Sequence, residues 1–209
     1  MSDTGYGDFE FERKFFVRDL PVDVLRGDVP DFIVQSYFLA AEGYALRIRL
    51  QGPAQVPLER GVVDDLTVLA QNADRFTFCA ITAKGPAVGG TRYEAERDLD
   101  VAVGREMVRL GGSKVVKYRH SVWLGGDGWV IDEFLGANGP LIVAECERGG
   151  PVTDLVIPDF CESELTDDPR FANESLSRRP YSGWAEQYEE ELRTRGPRWL
   201  TDFGTNERA

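Results

Sequence analysis

The sequence predicts a mainly β (α+β) fold in which about eight antiparallel strands close into a β-barrel with peripheral helices. Charged residues occupy alternate positions of most predicted strands, with apolar residues between them. Because side chains alternate between the faces of a strand, each such strand has one ionic and one apolar face. Glu42-Gly43, the glycines around Asp127 and Asn138-Gly139 are hairpin signals between neighbouring strands.

The first predicted strand covers residues 9–17, where aromatic and β-branched residues dominate. Glu10, Glu12 and Lys14 share one face, and Arg13 lies among phenylalanines on the other. Taken alone, this ionic face is typical of a strand that faces solvent. The alternative is functional, because a carboxylate pair binds a hard cation and an adjacent ammonium binds an anion.

Further strands and helices follow from the same reading of the chain. The predicted strands are residues 32–39, 44–50, 76–84, 115–123, 129–134 and 141–147. Residues 91–97 fit a strand or a helix, since Glu, Ala and Arg are good helix formers. Short helices are predicted at residues 20–25, 64–70 and 171–176, and longer ones at 99–110 and 184–195. In the last of these, Trp184, Tyr188 and Leu192 are spaced for packing.

Composition excludes several classes of protein. The 209 residues suit one domain, and no apolar run approaches the ~20 residues of a membrane span. The three cysteines are odd in number and irregularly spaced, and residues 1–8 lack the features of a secretory signal. We therefore expect a cytoplasmic protein. The net charge of −12 argues against nucleic-acid or membrane partners, but local cationic clusters can still bind an anionic substrate.

The ionic faces together indicate the chemistry. Surface strands usually include Thr, Ser and Gln, whereas these positions are almost purely ionic, which favours faces that point into a barrel. Buried charges persist only when they are paired or bound to counter-ions. An interior with both signs suits a polyanion and divalent cations, the combination that phosphoryl transfer requires. The acidic set is Glu10, Glu12, Glu94, Glu96, Glu145 and Glu147, and the cationic set is Lys14, Arg47, Arg49, Lys84, Arg92, Lys117 and Arg119.

The chain resembles the CYTH domain, the triphosphate tunnel metalloenzyme family. The signature Glu-x-Glu-x-Lys is Glu10, Glu12 and Lys14 here. The ordered series covers roughly residues 9–176 and is more specific than the signature alone. It continues through residues 34–39, 47–49, 82–85, 92–96, 117–119, 129–134, 141–147 and 164–176. The connection between Arg49 and Lys84 is longer than in the smallest members, and no helical phosphate-binding domain follows.

The resemblance implies an eight-stranded antiparallel tunnel and assigns roles to the two ionic sets. The triphosphate would be held by Lys14, Arg47, Arg49, Lys84, Lys117 and Arg119. Arg92 would contact phosphate or orient Glu94 and Glu96. The six glutamates would form the binding set for Mg²⁺ or Mn²⁺, in which Glu94 and Glu96 would contact the metal less directly than the other four. Tyr37 beside Lys14 matches a family dyad that activates water, and this role requires a depressed tyrosine pKa.

The resulting prediction is a metal-dependent triphosphatase that acts on a small-molecule triphosphate, most plausibly inorganic tripolyphosphate. The alternatives are a class IV adenylyl cyclase, a thiamine or nucleoside triphosphatase, and a non-enzymatic polyphosphate- or nucleotide-binding module. Residues 1–8 are predicted to be a mobile lead, 9–176 the tunnel domain and 177–209 a helical extension at or near a tunnel mouth. The sequence leaves open whether the protein forms a homodimer. Asp132 is interpreted as a structural residue near a turn, with support of the site as the alternative.

Overall fold

A computed structural model describes residues 8–55 and 65–209, apart from the side chains of residues 65 and 68. Most of the predicted mobile lead, residues 1–7, lies outside the described residues, as does part of the long connection after Arg49, residues 56–64. None of the helices in the described ranges is long and apolar enough to cross a membrane.

Eight antiparallel strands form the predicted closed barrel, which the structure confirms. Their order around the barrel is β1-β5-β4-β3-β2-β6-β7-β8, and β8 pairs with β1 to close it. Residues 91–97 are extended, so the strand alternative is correct there. The strands are β1 (Phe9–Val17), β2 (Asp31–Ala41), β3 (Tyr44–Pro53), β4 (Phe78–Lys84), β5 (Thr91–Asp98), β6 (Ser113–Leu124), β7 (Asp127–Phe134) and β8 (Ile142–Arg148).

Three short strands were not predicted from the sequence, because segments of two to four residues show no measurable alternation. They are β9 (Val156–Ile157), β10 (Cys161–Glu164) and β11 (Glu207–Arg208). β10 pairs with the end of β1, at Phe15 to Val17, whereas β5 pairs with its beginning, at Phe9 to Phe11. β11 runs parallel to β9 and brings the C-terminal residues back to the barrel.

The connections between strands follow the predicted turns with one exception. Glu42 and Gly43 both have positive φ, as a type I′ hairpin requires. Asn138-Gly139 was expected to form a similar tight hairpin, but Gly139 has a φ of −68° and the segment forms a 3-10 turn instead. Asn138 accepts a hydrogen bond from the Tyr181 amide at 2.9 Å, so it joins this turn to the C-terminal region.

Five α-helices surround the barrel in the described parts of the chain. They are α1 (Val22–Leu25), α2 (Asp65–Gln71), α3 (Val101–Leu110), α4 (Asn173–Leu176) and α5 (Ala185–Arg195). Asp100 caps α3 by accepting a hydrogen bond from the Val103 amide at 3.0 Å. α3 lies close to the sheet at Gly104, where an added Cβ would approach the Cys79 Sγ to 2.1 Å.

The inward faces of several strands change from ionic to apolar toward one end of the barrel. Phe16 shares its face with Lys14, Val115 with Lys117, and Val143 with Glu145. These apolar residues belong to one buried cluster that includes Trp184 and Tyr188 of the C-terminal region. The predicted packing role of Trp184, Tyr188 and Leu192 is therefore confirmed, and α5 helps to close this end of the barrel interior.

Candidate active site

The interior of the barrel, called the lumen here, holds an ionic cavity of about 290 Å³. Five cationic and six acidic side chains line it, together with Phe9, Gln35 and Asn173. The cationic ones are Lys14, Arg47, Arg49, Lys84 and Arg119, and the acidic ones are Glu10, Glu12, Glu94, Glu96, Glu145 and Glu147. The structure thus brings most of the predicted site residues together.

The pairing of β1 with β8 sets the positions of four signature side chains. Glu12 lies directly opposite Glu147, and Lys14 lies opposite Glu145. The Lys14 ammonium is 3.0 Å from Glu12 Oε1 and 2.8 Å from Glu145 Oε1. Burial alone would lower the pKa of Lys14, but the surrounding carboxylates raise it well above its ordinary value. Lys14 therefore remains a cation.

A second ionic group connects β1, β3, β4 and β5. Lys84 contacts Glu94, and its Nζ is also 2.8 Å from Glu10 Oε2. Arg47 Nη2 lies 3.4 Å from Glu94 Oε1. Burial raises the pKa of the Glu10 carboxyl, and the neighbouring Glu94 raises it further. Burial alone would raise the pKa of Glu94, but Glu10 and the cationic Lys84 and Arg47 lower it. Two carboxyl groups that share the Lys84 ammonium indicate a place that a cation would stabilise.

Asp132 lies at the centre of a third ionic group. From the sequence it was interpreted as a structural residue near a turn. It is fully buried inside β7 and contacts the Lys117 ammonium. Arg119 donates to both of its oxygens, from Nε at 2.7 Å and from Nη2 at 2.6 Å. Arg119 Nη2 also reaches Glu145 Oε2 at 3.1 Å. Asp132 therefore holds Arg119 at the lumen wall, and this was the alternative interpretation.

The prediction that Lys117 contacts phosphate directly needs correction. Its side chain is fully buried and is not part of the cavity lining. Its ammonium is occupied by Asp132, and burial lowers its pKa to about 8 despite that partner. The alternation of β6 correctly placed Lys117 on the inward face, but it could not show that this ammonium pairs with the buried Asp132.

The expected depression of the Tyr37 pKa is also wrong. Tyr37 is 2% exposed and packs in the apolar cluster that closes the barrel end. Burial raises its pKa to about 12, which outweighs the nearby cationic charge of Arg47 and Lys14. Its hydroxyl donates to Gln35 Oε1 at 3.2 Å. A tyrosine in this state orients a neighbour rather than accepting a proton near neutral pH.

Arg92 points away from the glutamates that it was expected to orient. Its guanidinium donates to the carbonyl oxygens of Gly85 at 3.1 Å and Gly43 at 3.3 Å. It also donates to Glu174 Oε1 on α4 at 3.1 Å. Arg92 therefore ties two hairpin ends to α4. Glu174 was missed, because it belongs to a four-residue helix whose position over the barrel has no sequence signal.

A second cavity, the vestibule, adjoins the lumen. It measures about 520 Å³ and shares Glu12, Lys14, Arg47 and Lys84 with the lumen. Elsewhere it is bounded by the β2–β3 hairpin, residues 86–90 and residues 165–178, which include Thr166 and Arg178. Many of these residues are apolar or glycine, so the vestibule differs in character from the ionic lumen.

The acidic side chains suit a divalent metal ion. Carboxylate oxygens are the donors that hard cations prefer, and like charges directly opposite on paired strands, as at Glu12 and Glu147, are unfavourable without a cation. In the described residues, no three His, Cys, Asp or Glu side chains form a ready-made metal centre. Lys14 and Lys84 lie between carboxylates here, which explains why no such group is assembled.

Glu147→Gln is expected to stabilise the metal-free protein at pH 8 and not at pH 4.5. Burial and then the nearby Glu10 and Glu12 raise the pKa of Glu147 from 4.5 to about 7. Wild-type stability therefore falls as the pH rises from 4.5 through 7, because the folded protein must release this proton. Glu147 is nevertheless partly open to solvent, which screens its charge. Thermal unfolding in chelator should therefore show that Glu147→Gln gains only about 2–3 °C in Tm at pH 8. An equal gain at both pH values would contradict the assignment.

The fold and the ionic lumen together define the class of triphosphate tunnel proteins, and comparisons with known proteins agree. No profile of a known protein family matches the chain. An inorganic triphosphatase from Acetivibrio thermocellus is 34% identical over 108 residues, which are 51% of this chain and 69% of that protein. A crystal structure of the inorganic triphosphatase NE1496 covers 80% of this chain and 93% of its own, with 25% identity and a TM-score of 0.50.

A further crystal structure, described as the hypothetical protein NE1496, matches with 27% identity and a TM-score of 0.50. It covers 80% of this chain and 97% of its own. The chain belongs to the CYTH, or triphosphate tunnel metalloenzyme, family. The resemblance inferred from the ordered motifs is therefore confirmed. The similarity does not by itself assign a role to any residue of this chain.

Proposed function

We propose that this protein hydrolyses inorganic triphosphate in its lumen with Mg²⁺ or Mn²⁺ as cofactor. The observation that supports this most directly is the lining of five cationic and six acidic side chains around one cavity. Such a lining is close to neutral, so a bare polyanion gains little from its net charge. A triphosphate together with a divalent cation supplies a counter-ion for each set.

The cationic side chains would bind and orient the phosphates. Arg47, Arg49 and Arg119 offer planar guanidinium groups that can form two parallel hydrogen bonds to phosphate oxygens. Lys14 and Lys84 are compact charges on the β1 and β4 walls, where the lumen and vestibule meet. Placed around the bound chain, these groups would stabilise the negative charge that shifts to the leaving pyrophosphate.

The acidic side chains would hold the metal next to these cations. Glu12 and Glu147 face each other across β1 and β8, and Glu10 and Glu94 both contact the Lys84 ammonium. Glu145 forms ion pairs with Lys14 and Arg119, and Glu96 forms one with Arg49. Glu145 and Glu96 therefore also hold these cationic side chains in position. When bound, the divalent ion supplies polarisation of a phosphoryl oxygen and activation of water.

The composition of the lumen favours an inorganic substrate. Among the described residues that line it, Phe9 is the only aromatic side chain, so the cavity offers a single ring on which a nucleobase could stack. One sequence relative and one structural neighbour are named inorganic triphosphatases. The apolar part of the vestibule supports a second candidate, an organic triphosphate whose organic group lies outside the lumen.

A substrate panel tests the proposal. Tripolyphosphate, ATP and thiamine triphosphate are incubated with Mg²⁺, Mn²⁺ or chelator, and orthophosphate, pyrophosphate and cyclic AMP are measured. We expect one water to convert each tripolyphosphate to pyrophosphate and orthophosphate, with a kcat/KM about tenfold or more above that for ATP. Cyclic AMP formation above phosphate release would favour the cyclase alternative. Binding without turnover of any substrate would favour the non-enzymatic alternative.

A further inference from the structure

The middle of β1 lies in a gap between two neighbouring strands. On one edge, β5 pairs with Phe9 to Phe11 and β10 pairs with Phe15 to Val17. Residues 12–14 lie between them and pair with neither strand on that edge. This segment, called the seam here, contains Glu12 and Lys14 of the proposed site. The backbone that carries these two side chains therefore needs other partners.

Two loops provide those partners. The Glu12 amide donates to the Gly90 carbonyl at 2.8 Å, and the Lys14 amide donates to Thr166 Oγ1 at 3.2 Å. The Leu165 amide donates in turn to the Lys14 carbonyl at 2.8 Å. Gly90 has a φ of +70°, and an added Cβ would lie 2.7 Å from the Glu12 carbonyl oxygen. The contact at the seam is thus too close for any residue but glycine.

Thr166 is hydrogen-bonded to a buried ion pair formed by Glu164 and Arg13. Its hydroxyl donates to Glu164 Oε1 at 2.9 Å. Arg13 lies on the outer face of the seam, is fully buried and forms two parallel bonds with Glu164, at 2.8 and 2.9 Å. A continuous path of hydrogen bonds therefore runs from the Lys14 amide through Thr166 and Glu164 to Arg13. A buried pair is a weak source of stability, but its bidentate geometry fixes position.

The C-terminal arm, defined as residues 198–208, covers this path. Arg13 Nη1 donates to Asn206 Oδ1 at 2.7 Å, and the Leu200 amide donates to Glu164 Oε2 at 3.0 Å. The Phe203 ring lies over the Arg13 guanidinium, 4.7 Å from its carbon to the ring centroid. Phe203 also adjoins Gly90, since a Cβ placed there would be 3.6 Å from its ring. The arm thus contacts both supports of the seam.

We propose that Arg13, Glu164, Thr166 and the C-terminal arm are positioning elements that hold Lys14 and Glu12 in register for triphosphate hydrolysis. This inference rests on the proposed function. None of these groups except Thr166 lines the lumen or the vestibule. They act through the backbone of the seam, and a shift of about 1 Å in a catalytic group is enough to cost up to a hundredfold in rate.

The test compares variants that alter the path with variants that preserve it. Thr166→Val removes the hydroxyl and keeps the volume, and Thr166→Ser keeps the hydroxyl. We expect Thr166→Val to lower kcat for tripolyphosphate about tenfold, with a Tm within about 3 °C of wild type, and Thr166→Ser to restore at least half of the activity. A purely structural role would not distinguish valine from serine in kcat per folded molecule.

Arg13→Lys provides the second variant, with Arg18→Lys as a matched control. Arg18, the residue that follows β1, also forms a bidentate pair with Glu162 of β10, but that pair is exposed and does not touch the seam. We expect Arg13→Lys to lower kcat about tenfold or more and Arg18→Lys to leave it within about twofold. If Arg13→Lys fails to fold, the two Thr166 variants decide the question.

The outcomes separate this inference from the proposed function. If wild-type protein does not hydrolyse tripolyphosphate, the proposed function is wrong. If wild type is active while Thr166→Val keeps its kcat within about twofold, or while Thr166→Ser is as impaired as Thr166→Val, the seam is not a positioning device. The proposed function would stand in that case.

Discussion

Glu12→Gln is expected to reduce kcat for triphosphate hydrolysis by about a hundredfold or more, equivalent to roughly 2.7 kcal/mol of transition-state stabilisation. Glu12 lines both the lumen and the vestibule, faces Glu147 across the sheet and lies 3.0 Å from the Lys14 ammonium. Glutamine preserves the shape but removes the charge that would hold a cation. Burial raises the pKa of Glu12 although Lys14 opposes the shift, so a bound cation would stabilise its ionised form.

The stability of the same variant should behave differently from its activity. Replacing Glu12 relieves its repulsion with Glu147, and Lys14 retains Glu145, so we expect metal-free Tm to change by no more than about 3 °C. Glu162→Gln is the control, because it neutralises an exposed glutamate that pairs with Arg18. Steady-state kinetics should place this control within about twofold of wild type. If Glu12→Gln lowered kcat by less than tenfold, Glu12 would not belong to the metal-binding set.

Asp132→Asn is expected to be the most destabilising of the proposed substitutions. Asp132 is fully buried between Lys117 and Arg119, whose charges lower its pKa even though burial alone would raise it. Asparagine leaves the buried Lys117 ammonium without its anionic partner, and breaking such a pair costs about 3–5 kcal/mol. Thermal unfolding should therefore shift down by about 6 °C or more. Arg119 also loses one of its two hydrogen bonds, because the asparagine NH2 group cannot accept, so the KM for tripolyphosphate should rise.

Asp127→Asn is the matched control on the same strand. Asp127 also forms a bidentate pair with an arginine, Arg148, at 2.7 Å for both bonds, but it lies at the hairpin end of β7 near solvent. The Asp127–Arg148 pair is only partly buried, so its loss should cost less than loss of the fully buried Asp132 pair, and Tm should change by no more than a few degrees. Equal effects of the two substitutions would show that burial of Asp132 has no special consequence for the lumen.

Strand alternation explains why much of the fold could be predicted from the sequence. In β1 the period of two separates Glu10, Glu12 and Lys14 from Phe11 and Phe15, and the same pattern recurs around the closed barrel. The charges had to face inward because their positions contained almost no neutral polar residues. β10 and β11 could not be predicted, since their pairing depends on contacts between residues far apart in sequence.

The site was predicted less completely, because alternation gives the face of a residue but not its depth or partners. Lys117 lies on the expected face but is fully buried against Asp132. Tyr37 lies where the lumen becomes apolar, so burial raises its pKa. Arg92 turns toward Glu174 rather than along its own strand. The path from Arg13 to Lys14 passes through residues 164–166, which are distant in sequence, and Arg13 in the sequence resembles an ordinary strand residue.

The central claim is that one lumen brings a triphosphate and a divalent cation together for hydrolysis. The most direct measurement is ³¹P NMR of tripolyphosphate with the wild-type protein, first in excess chelator and then after addition of Mg²⁺ or Mn²⁺. We predict no conversion in chelator, and conversion to pyrophosphate and orthophosphate in equal amounts once the metal is added. Hydrolysis at an undiminished rate in chelator, or none with either metal, would contradict the account.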